Sequence, residues 1–345
     1  MSADGTFEFR FPKITTLLLI GGGDTMLDVA RRAKATGLDV RAILAPRHAD
    51  EVLPIAGTVT AATLTGIGCP FEVVEDINAW SSLTDQNWAP ATTAAFCFGP
   101  AWIFSPEVRA RFGAGMVNCN PIPVPRYLGG AHYTWQILNG DREGGCVFQL
   151  ITDRLDRGPI LRSRYFDIPE GARTPYDYFL AYNDASNDLM ASALEDVVAG
   201  NAFQAVDFES VQTRRLYLPR LFTVHNAYID WRWNGSELER FCCAFDRPYM
   251  GAGTYVDGTE IRLSDVAFEP GEAFHPFLSG LVVRRLDGQV WVSVTDGLLH
   301  IGEARMRDGQ SALDLLKEGR RLATPPDKVF EAMIYRPNLS GKGIS

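Results

Sequence analysis

The stretch "KITTLLLIGGGDTMLDVARRAKATGLDVRAILAP", Lys13 to Pro46, predicts a strand, a glycine turn, a helix and a second strand. Its apolar run Leu17–Ile20 is typical of a strand buried in a parallel sheet. Apolar residues at helical spacing follow, and Gly37 marks the end of that helix. Further apolar runs, "TAAFCFG" and "AGMVN", are separated by helical stretches. This alternation indicates an α/β, doubly wound domain with a parallel sheet and helices on both faces.

The second half of the chain has a different pattern. "CVFQLIT" and "PILRSRYFDI" are expected to form a strand pair, and a long helix is predicted over Pro175–Gly200. From Met250 to Met306, short β-rich runs are interrupted by Asp-Gly pairs, which favour hairpin turns. We expect a small β-barrel or sandwich there, with a domain boundary near residues 205–215.

Composition limits the classes of protein to consider. The chain has 345 residues, 46% hydrophobic and 22% charged, which favours two globular domains. A net charge of −9 argues against a nucleic-acid partner. No signal peptide and no membrane-spanning stretch is expected. The six scattered cysteines form no CxxC pair and no metal-ligand spacing, so we expect no metal and a cytoplasmic location.

The "GGGDT" segment after the first strand invites a dinucleotide-binding interpretation. The GxGxxG pattern is absent, and Pro46 and Arg47 follow the second strand where an acidic residue would be needed. A glycine turn that lets the strand enter its helix is the favoured interpretation.

Polar side chains end two of the predicted strands. Asn118 follows "GMV", and Asp156 follows "CVFQLIT" in the loop "DRLDRG". Ligands of open α/β sheets bind at the carboxyl ends of strands. A carboxamide there could stabilise a developing oxyanion, and a carboxylate could handle the protons of an attacking amine, which suits acyl transfer. Turn formation by both residues is the alternative.

The segment "VNCNPIPVPRYLGGAHYTWQILNGDREGGCVFQLITDRLDRGPIL" resembles the core of the formyltransferase family that uses 10-formyltetrahydrofolate. That family carries Asn-x-His, then Leu-Pro-x-Tyr/Trp-Arg-Gly, and a distant Asp-x-Gly. The matching residues here are Asn118, Pro125, Tyr127, Gly129 and Asp156–Arg157–Gly158. "GGAHYTWQILNG" is most similar to the sugar N-formyltransferases, and the likeness spans roughly residues 14 to 320.

The resemblance implies a fold, a donor and a set of binding residues. It implies a Rossmann-like formyltransferase domain over residues 1–210 and an OB-like β-barrel domain over residues 211–345. The implied formyl donor is 10-formyltetrahydrofolate, and "FGPAWIFSPEV" looks like the pterin-side loop. The residues predicted to bind the donor are Phe98, Gly99, Pro100, Trp102, Ile103, Thr152 and Asp153.

One position departs from the family pattern. Asn120 stands where the family has its catalytic histidine. A carboxamide can hydrogen-bond the formyl oxygen but cannot exchange a proton near neutral pH. Asp156 could take the proton alone, or His132 could substitute, although a loop histidine is the commoner role. The catalytic set predicted from sequence is therefore Asn118, Asn120, Asp156 and His132.

The resemblance leaves the acceptor amine open. Residues 214–308 contain 11 Arg, no Lys and 13 Asp or Glu, an excess of two acids (11 − 13 = −2) that disfavours transfer RNA. A nucleotide-linked amino sugar is favoured, with Arg126, Arg154, Arg157 or Arg220 available for a diphosphate. A weakened or inactive folate- or ligand-binding relative, or one with another one-carbon or acyl donor, is the alternative. Related sugar enzymes suggest a homodimer.

Overall fold

The computed structural model describes residues 5–80, 89–130 and 132–344, without the side chains of residues 132, 339, 343 and 344. The strands are β1 (Thr6–Arg10), β2 (Thr16–Gly21), β3 (Asp39–Leu44), β4 (Phe71–Val73), β5 (Thr93–Phe98), β6 (Gly115–Asn120), β7 (Tyr127–Gly129), β8 (Glu143–Leu150), β9 (Ile160–Asp167), β10 (Ala202–Val206), β11 (Leu216–Leu218), β12 (Ala252–Val256), β13 (Thr259–Pro270), β14 (Val282–Leu286), β15 (Gln289–Val294), β16 (Gly297–Met306), β17 (Leu339–Ser340) and β18 (Gly343–Ile344). The α-helices are α1 (Asp24–Ala35), α2 (Pro46–Ala49), α3 (Thr60–Ile67), α4 (Pro106–Ala110), α5 (His132–Asn139), α6 (Pro175–Ala199), α7 (Thr223–Asn226), α8 (Gly235–Ala244) and α9 (Pro326–Ile334).

A large mixed sheet organises the first part of the chain. In the described residues it has nine strands in the order β1-β10-β9-β8-β6-β5-β2-β3-β4. The pairs from β6 to β4 are parallel, as the sequence predicts. The pairs from β6 through β8, β9 and β10 to β1 are antiparallel, so the prediction of a parallel sheet holds only for one half. The loop between β8 and β9 is too short for a crossover helix, which forces that pair to be antiparallel.

Strand β2 shows why its sequence is apolar at every position. Leu17 and Leu19 belong to a core that includes residues of α1, α3 and α6. Leu18 and Ile20 belong to a second apolar cluster that includes Val108 of α4. Because alternate side chains point to opposite faces, a strand covered on both faces needs a continuous apolar run. Helices therefore cover both faces of the parallel half, as predicted.

The long helix α6 connects two hydrophobic cores. It begins with a capping box of Thr174 and Asp177, and Gly200 ends it with a left-handed backbone, φ 69°. Leu194 near its C-terminal end belongs to the core of the large sheet. Tyr178 and Tyr182 near its N-terminal end pack in the core of the later domain. The predicted helix is thus confirmed and is shared between the cores.

The later part of the chain forms an antiparallel sheet. Its five strands among the described residues have the order β12-β13-β16-β15-β14. Hairpins turn at Asp257–Gly258 and Asp287–Gly288, and both residues of each pair have positive φ, as type I′ turns require. Edge strand β12 and the residue before β14 each bridge to the extended segment Arg321–Leu322, and no ladder pairs β12 with β14 in the described residues. The predicted OB-like barrel is not confirmed.

No helix in the described ranges is long and apolar enough to cross a membrane. All six cysteines are buried and unpaired. Among residues 5–80, 89–130 and 132–344, no cluster of three or more His, Cys, Asp or Glu side chains could hold a metal ion.

Candidate active site

The candidate site is built around the end of β6. Asn118 lies between Cys97 of parallel strand β5 and Gln149 of antiparallel strand β8. Its neighbour Cys119 belongs to the core on the opposite side of the sheet, which fits the alternation of a strand. The Oδ1 atom of Asn118 is buried and has no hydrogen-bond partner. A buried amide oxygen without a partner is costly, and such an atom is a natural contact for a ligand.

The loop that carries Asp156 has a backbone that its sequence imposes. Asp156 adopts a left-handed conformation, φ 54°, which aspartate tolerates better than most residues. Nε2 of Gln149 donates to the carbonyl oxygens of Asp156 at 3.2 Å and Gly158 at 2.7 Å. A Cβ on Gly158 would lie 1.8 Å from the carbonyl oxygen of Leu150. The glycine of the Asp-x-Gly sequence is therefore a steric requirement of this loop, and its aspartate suits the left-handed backbone.

Asn118 and Asp156 line one cavity, called here the smaller cavity, with a volume of about 100 Å³. Burial raises the pKa of the Asp156 carboxyl above its usual range. Five residues predicted to bind the donor also line this cavity: Pro100, Trp102, Ile103, Thr152 and Asp153. The structure thus brings together an amide, a carboxyl of raised pKa and an apolar loop.

Asn120 lines a different space, called here the larger cavity, of about 450 Å³. Cys119 lines it too, so the last residues of β6 separate the two cavities. Phe98 and Gly99, predicted to bind the donor, line the larger cavity. Its other walls come from the glycine turn before α1, from the segment after β3, from α5 and α6, and from the segment after β11. They include Gly22, Gly23, Asp24, Thr25, Arg47, His48, Glu51, Tyr133, Tyr182, Asn183, Ser186 and Arg220.

The glycine turn lets two titratable side chains approach the backbone in the larger cavity. A Cβ on Gly22 would lie 2.8 Å from Oε2 of Glu51 and 3.2 Å from Cδ2 of His48. Burial, with the nearby charge of Arg47, lowers the pKa of His48 to about 4, and its Nδ1 is buried without a partner. Burial also raises the pKa of Glu51, an effect that the charge of Arg47 opposes. At neutral pH the cavity therefore contains an uncharged imidazole.

The arginines considered for a diphosphate lie in different surroundings. Arg126 pairs with Asp141 at 2.8 Å, and Arg154 pairs with Glu209 at 2.6 Å. Arg157 lies 3.5 Å from the same Glu209 carboxylate. Of these four, Arg220 lines the larger cavity. The side chain of His132, the remaining predicted catalytic residue, lies outside the described residues, and only its place at the start of α5 is defined.

Sequence reasoning missed three groups in the larger cavity and one in the wall of the smaller cavity. These are Arg47, His48, Glu51 and Gln149. The segment "APRHADE" after β3 offered a signal, because polar residues that follow a parallel strand lie at the ligand-binding edge. Gln149 gave no signal, since it is one polar residue inside an apolar strand.

Comparison with known families assigns the chain to a class. Residues 93–194 match the family model described as "Formyl transferase", and residues 222–317 match "Formyl transferase, C-terminal domain". The first match includes strands of the large sheet, and the second includes the later antiparallel sheet. The chain belongs to the formyl transferase family.

Individual relatives agree with this assignment. Methionyl-tRNA formyltransferase of Chlorobium chlorochromatii is 25% identical over 92% of this chain and 97% of its own length. That of Roseiflexus castenholzii is 28% identical over 61% of this chain, and the match spans 65% of the relative. That of Roseiflexus sp. is 32% identical over 43% of this chain, and the match spans only 44% of the relative.

Two solved structures share the fold at low sequence identity. WlaRD, a sugar 3N-formyl transferase solved with dTDP and 5-N-formyl-THF, has a TM-score of 0.62 at 13% identity, over 87% of this chain and 99% of that one. The N-formyltransferase of Helicobacter canadensis, in complex with folinic acid and dTDP-3-aminofucose, has a TM-score of 0.62 at 14% identity, over 86% and 99%.

Proposed function

We propose that this protein is an N-formyltransferase that moves a formyl group from 10-formyltetrahydrofolate to the amine of a small acceptor. The observation that carries the proposal is the end of β6, where Asn118 and Asn120 line two adjacent cavities. Donor and acceptor can then approach one another across a single strand end. Such an arrangement gives the proximity that transfer between two bound molecules requires.

The smaller cavity is the proposed site for the pterin end of the donor. Trp102, Ile103 and the Pro100 turn provide apolar surface. The partnerless Oδ1 of Asn118 fits a ligand that presents an N–H group, since it has an unused acceptor position. The donor supplies the formyl group, whose carbon the amine attacks. Asn118 can donate its amide N–H to the formyl oxygen as negative charge develops there.

Asp156 is the proposed proton carrier. Attack by an amine forms a C–N bond and leaves an extra proton on nitrogen, which must move before the bond to the folate breaks. The raised pKa of Asp156 brings its carboxyl closer to the range in which it can accept that proton from the amine and pass it to the departing folate nitrogen. Asn120 can add a hydrogen bond from the larger cavity but cannot exchange protons.

The acceptor is proposed to be a nucleotide-linked amino sugar. The excess of acidic over basic residues in 214–308 makes this region a poor surface for transfer RNA. The solved sugar enzymes share the fold over nearly all of their length, which supports the proposal without identifying the sugar. A cytoplasmic location, a homodimer and the absence of a nucleic-acid partner belong to the same proposal.

The decisive experiment is a transfer assay with 10-formyltetrahydrofolate and a panel of 3-amino and 4-amino nucleotide sugars, read by mass spectrometry of the acceptor. We expect the acceptor to gain one formyl group, and Asp156→Asn to abolish turnover. Asp287→Asn is the matched control, because Asp287 also has positive φ, 51°, but lies in an exposed hairpin turn. Equal turnover by wild type and Asp156→Asn would contradict the proposed role.

Asn120 favours a second candidate function. A site without a titratable group at this position could bind folate or a related ligand with little transfer, or use another one-carbon or acyl donor. Tight binding of 10-formyltetrahydrofolate without formylation of any amino sugar would support the binding protein. Transfer from a different acyl donor alone would support the third possibility.

A further inference from the structure

Two arginines line the larger cavity and are unpaired in the part of the chain that the structure describes. Among the described residues, the guanidinium groups of Arg47 and Arg220 make no hydrogen bond and no ion pair, and both line the cavity. Nε of Arg47 is buried and has no acceptor. A buried guanidinium N–H without an acceptor costs free energy, so the free protein leaves a donor unsatisfied here.

The two positive charges also act on one another. Burial and the charge of Arg220 both lower the pKa of Arg47, while Glu51 opposes them. Placing two like charges in a partly buried space is unfavourable unless a third group neutralises them. Glu51 is close enough to influence Arg47 but forms no ion pair with it.

Glycine residues bring Arg220 into this position. A Cβ on Gly130 would lie 2.7 Å from Cβ and 3.0 Å from Cα of Arg220. Gly129 has φ 92°, and its Cβ would lie 2.2 Å from the carbonyl oxygen of Leu218. Gly129 and Gly130 therefore let the parallel strands β7 and β11 approach closely. Arg220, which follows β11, lies in the cavity wall as a result.

We propose that Arg47 and Arg220 form an anion subsite of the larger cavity that binds a phosphate or diphosphate group of the acceptor. Guanidinium groups bind such groups through paired N–H donors in a planar fork. Asp24 and Glu51 on the same cavity wall would repel an anion, which limits the subsite to the two arginines. The inference rests on the proposed function and extends it, because it predicts that the molecule carrying the acceptor amine also carries a phosphate or diphosphate group.

Binding of inorganic pyrophosphate, measured by titration calorimetry at constant ionic strength, tests the subsite without any transfer reaction. We expect saturable binding with one site per chain. Arg47→Gln and Arg220→Gln should each weaken it about tenfold or more, since hydrogen bonds to charged groups are the strong ones. Arg32→Gln is the control for loss of one charge, because Arg32 is an exposed residue that pairs with Asp28 at 2.6 Å.

Further arms separate the possible outcomes. Arg47→Lys retains the charge without the fork and should bind pyrophosphate with intermediate affinity, while unchanged melting temperatures show that the variants fold. No saturable pyrophosphate binding, or equal binding by wild type and both Gln variants, overturns the subsite. Acetate binding as tightly as pyrophosphate overturns the assignment to phosphate in favour of a carboxylate.

A kinetic arm distinguishes the subsite from the proposed function. If transfer occurs, Arg220→Gln should raise KM for a phosphorylated amino sugar and leave KM for the unphosphorylated sugar unchanged. Pyrophosphate binding without any formyl transfer would leave the subsite standing and remove the proposed function. Transfer by wild type with the same KM for the phosphorylated and the unphosphorylated sugar would leave the transferase function standing and overturn the subsite.

Discussion

Asp156 has a carboxyl group that the fold holds in an unfavourable environment. Because burial raises its pKa, the folded state prefers the protonated form, and the stability that this residue contributes is lost as pH rises through the raised pKa. Asp156→Asn removes the charge and tolerates the left-handed backbone. We therefore expect the variant to lose turnover at pH 7.5 while its melting temperature stays equal to or above that of wild type. A lower melting temperature would indicate that the carboxylate is structural.

His48 should make stability depend on pH in the opposite sense. Its folded pKa of about 4 lies below the ordinary value of 6.5, so the unfolded chain binds the proton more readily. This contribution is fully present above pH 6.5 and is lost as pH falls toward 4. A shift of this size amounts to about 3 kcal/mol.

Urea unfolding at neutral pH and at about pH 4.5 measures that contribution through the linkage between protonation and stability. We expect His48→Gln to lose less stability than wild type between the two values, by about 2 kcal/mol or more. His275→Gln is the control, because His275 is exposed. Identical losses in wild type and His48→Gln would contradict the burial of a neutral imidazole.

Asn120 offers a direct test of the departure from the family pattern. Asn120→His would place a titratable imidazole in the wall of the larger cavity. If Asn118 and Asp156 retain their roles, we expect kcat to rise about tenfold or more, since a positioned general base is commonly worth at least that much. Asn338→His, at an exposed position, is the control. An unchanged rate would mean that other groups complete the proton transfer in the native chain.

The sequence allowed candidate site residues at strand ends to be predicted, but not their burial or their hydrogen-bond partners. Asn118 and Asp156 could be proposed because each follows an apolar run, and the structure places both in one cavity. The unsatisfied Nε of Arg47 and the burial of His48 depend on how α2 packs behind the glycine turn. No local pattern encodes that packing.

At the scale of elements, the loop between β8 and β9 depends on one glycine. Gly158→Ala would bring a methyl group into the carbonyl oxygen of Leu150, so the loop and the Asp156 backbone must move. We expect destabilisation of about 1–3 kcal/mol, together with loss of transfer. Thermal unfolding and the transfer assay check both effects.

Gly171→Ala is the matched control for that substitution. A Cβ on Gly171 would meet nothing within 4 Å, so this variant should retain stability and activity. If Gly158→Ala also behaves like wild type, the loop adapts and the close approach is not a constraint on the site.

Elements with a strong local signal were predicted correctly. The Asp-Gly hairpins followed from turn chemistry, and β2 followed from its apolar run. The antiparallel half of the large sheet was harder to predict from sequence, because β6 pairs with β8 although β7 and α5 lie between them in the chain. The arrangement of β12 and β14 also depends on a distant segment, Arg321–Leu322, whose sequence does not identify it as their partner.

At the scale of the whole molecule, α6 couples the two cores. Tyr182 on this helix donates to Oε1 of Gln136 at 3.0 Å, in the core that also holds the later sheet. Leu194, three turns further along, packs in the core of the large sheet. Unfolding of either core would expose part of the same helix, so a partly unfolded protein loses packing on both sides.

We therefore expect calorimetry to show one unfolding transition, with the calorimetric and van't Hoff enthalpies equal. Leu194 and Leu238 are each buried in a different core. Leu194→Ala and Leu238→Ala should each lower the free energy of unfolding by about 2–5 kcal/mol and leave a single transition. Leu180→Ala, at a more exposed position of α6, should have a small effect. If Leu238→Ala instead separated a second transition at lower temperature, the later domain would unfold independently and α6 would not transmit stability between the cores.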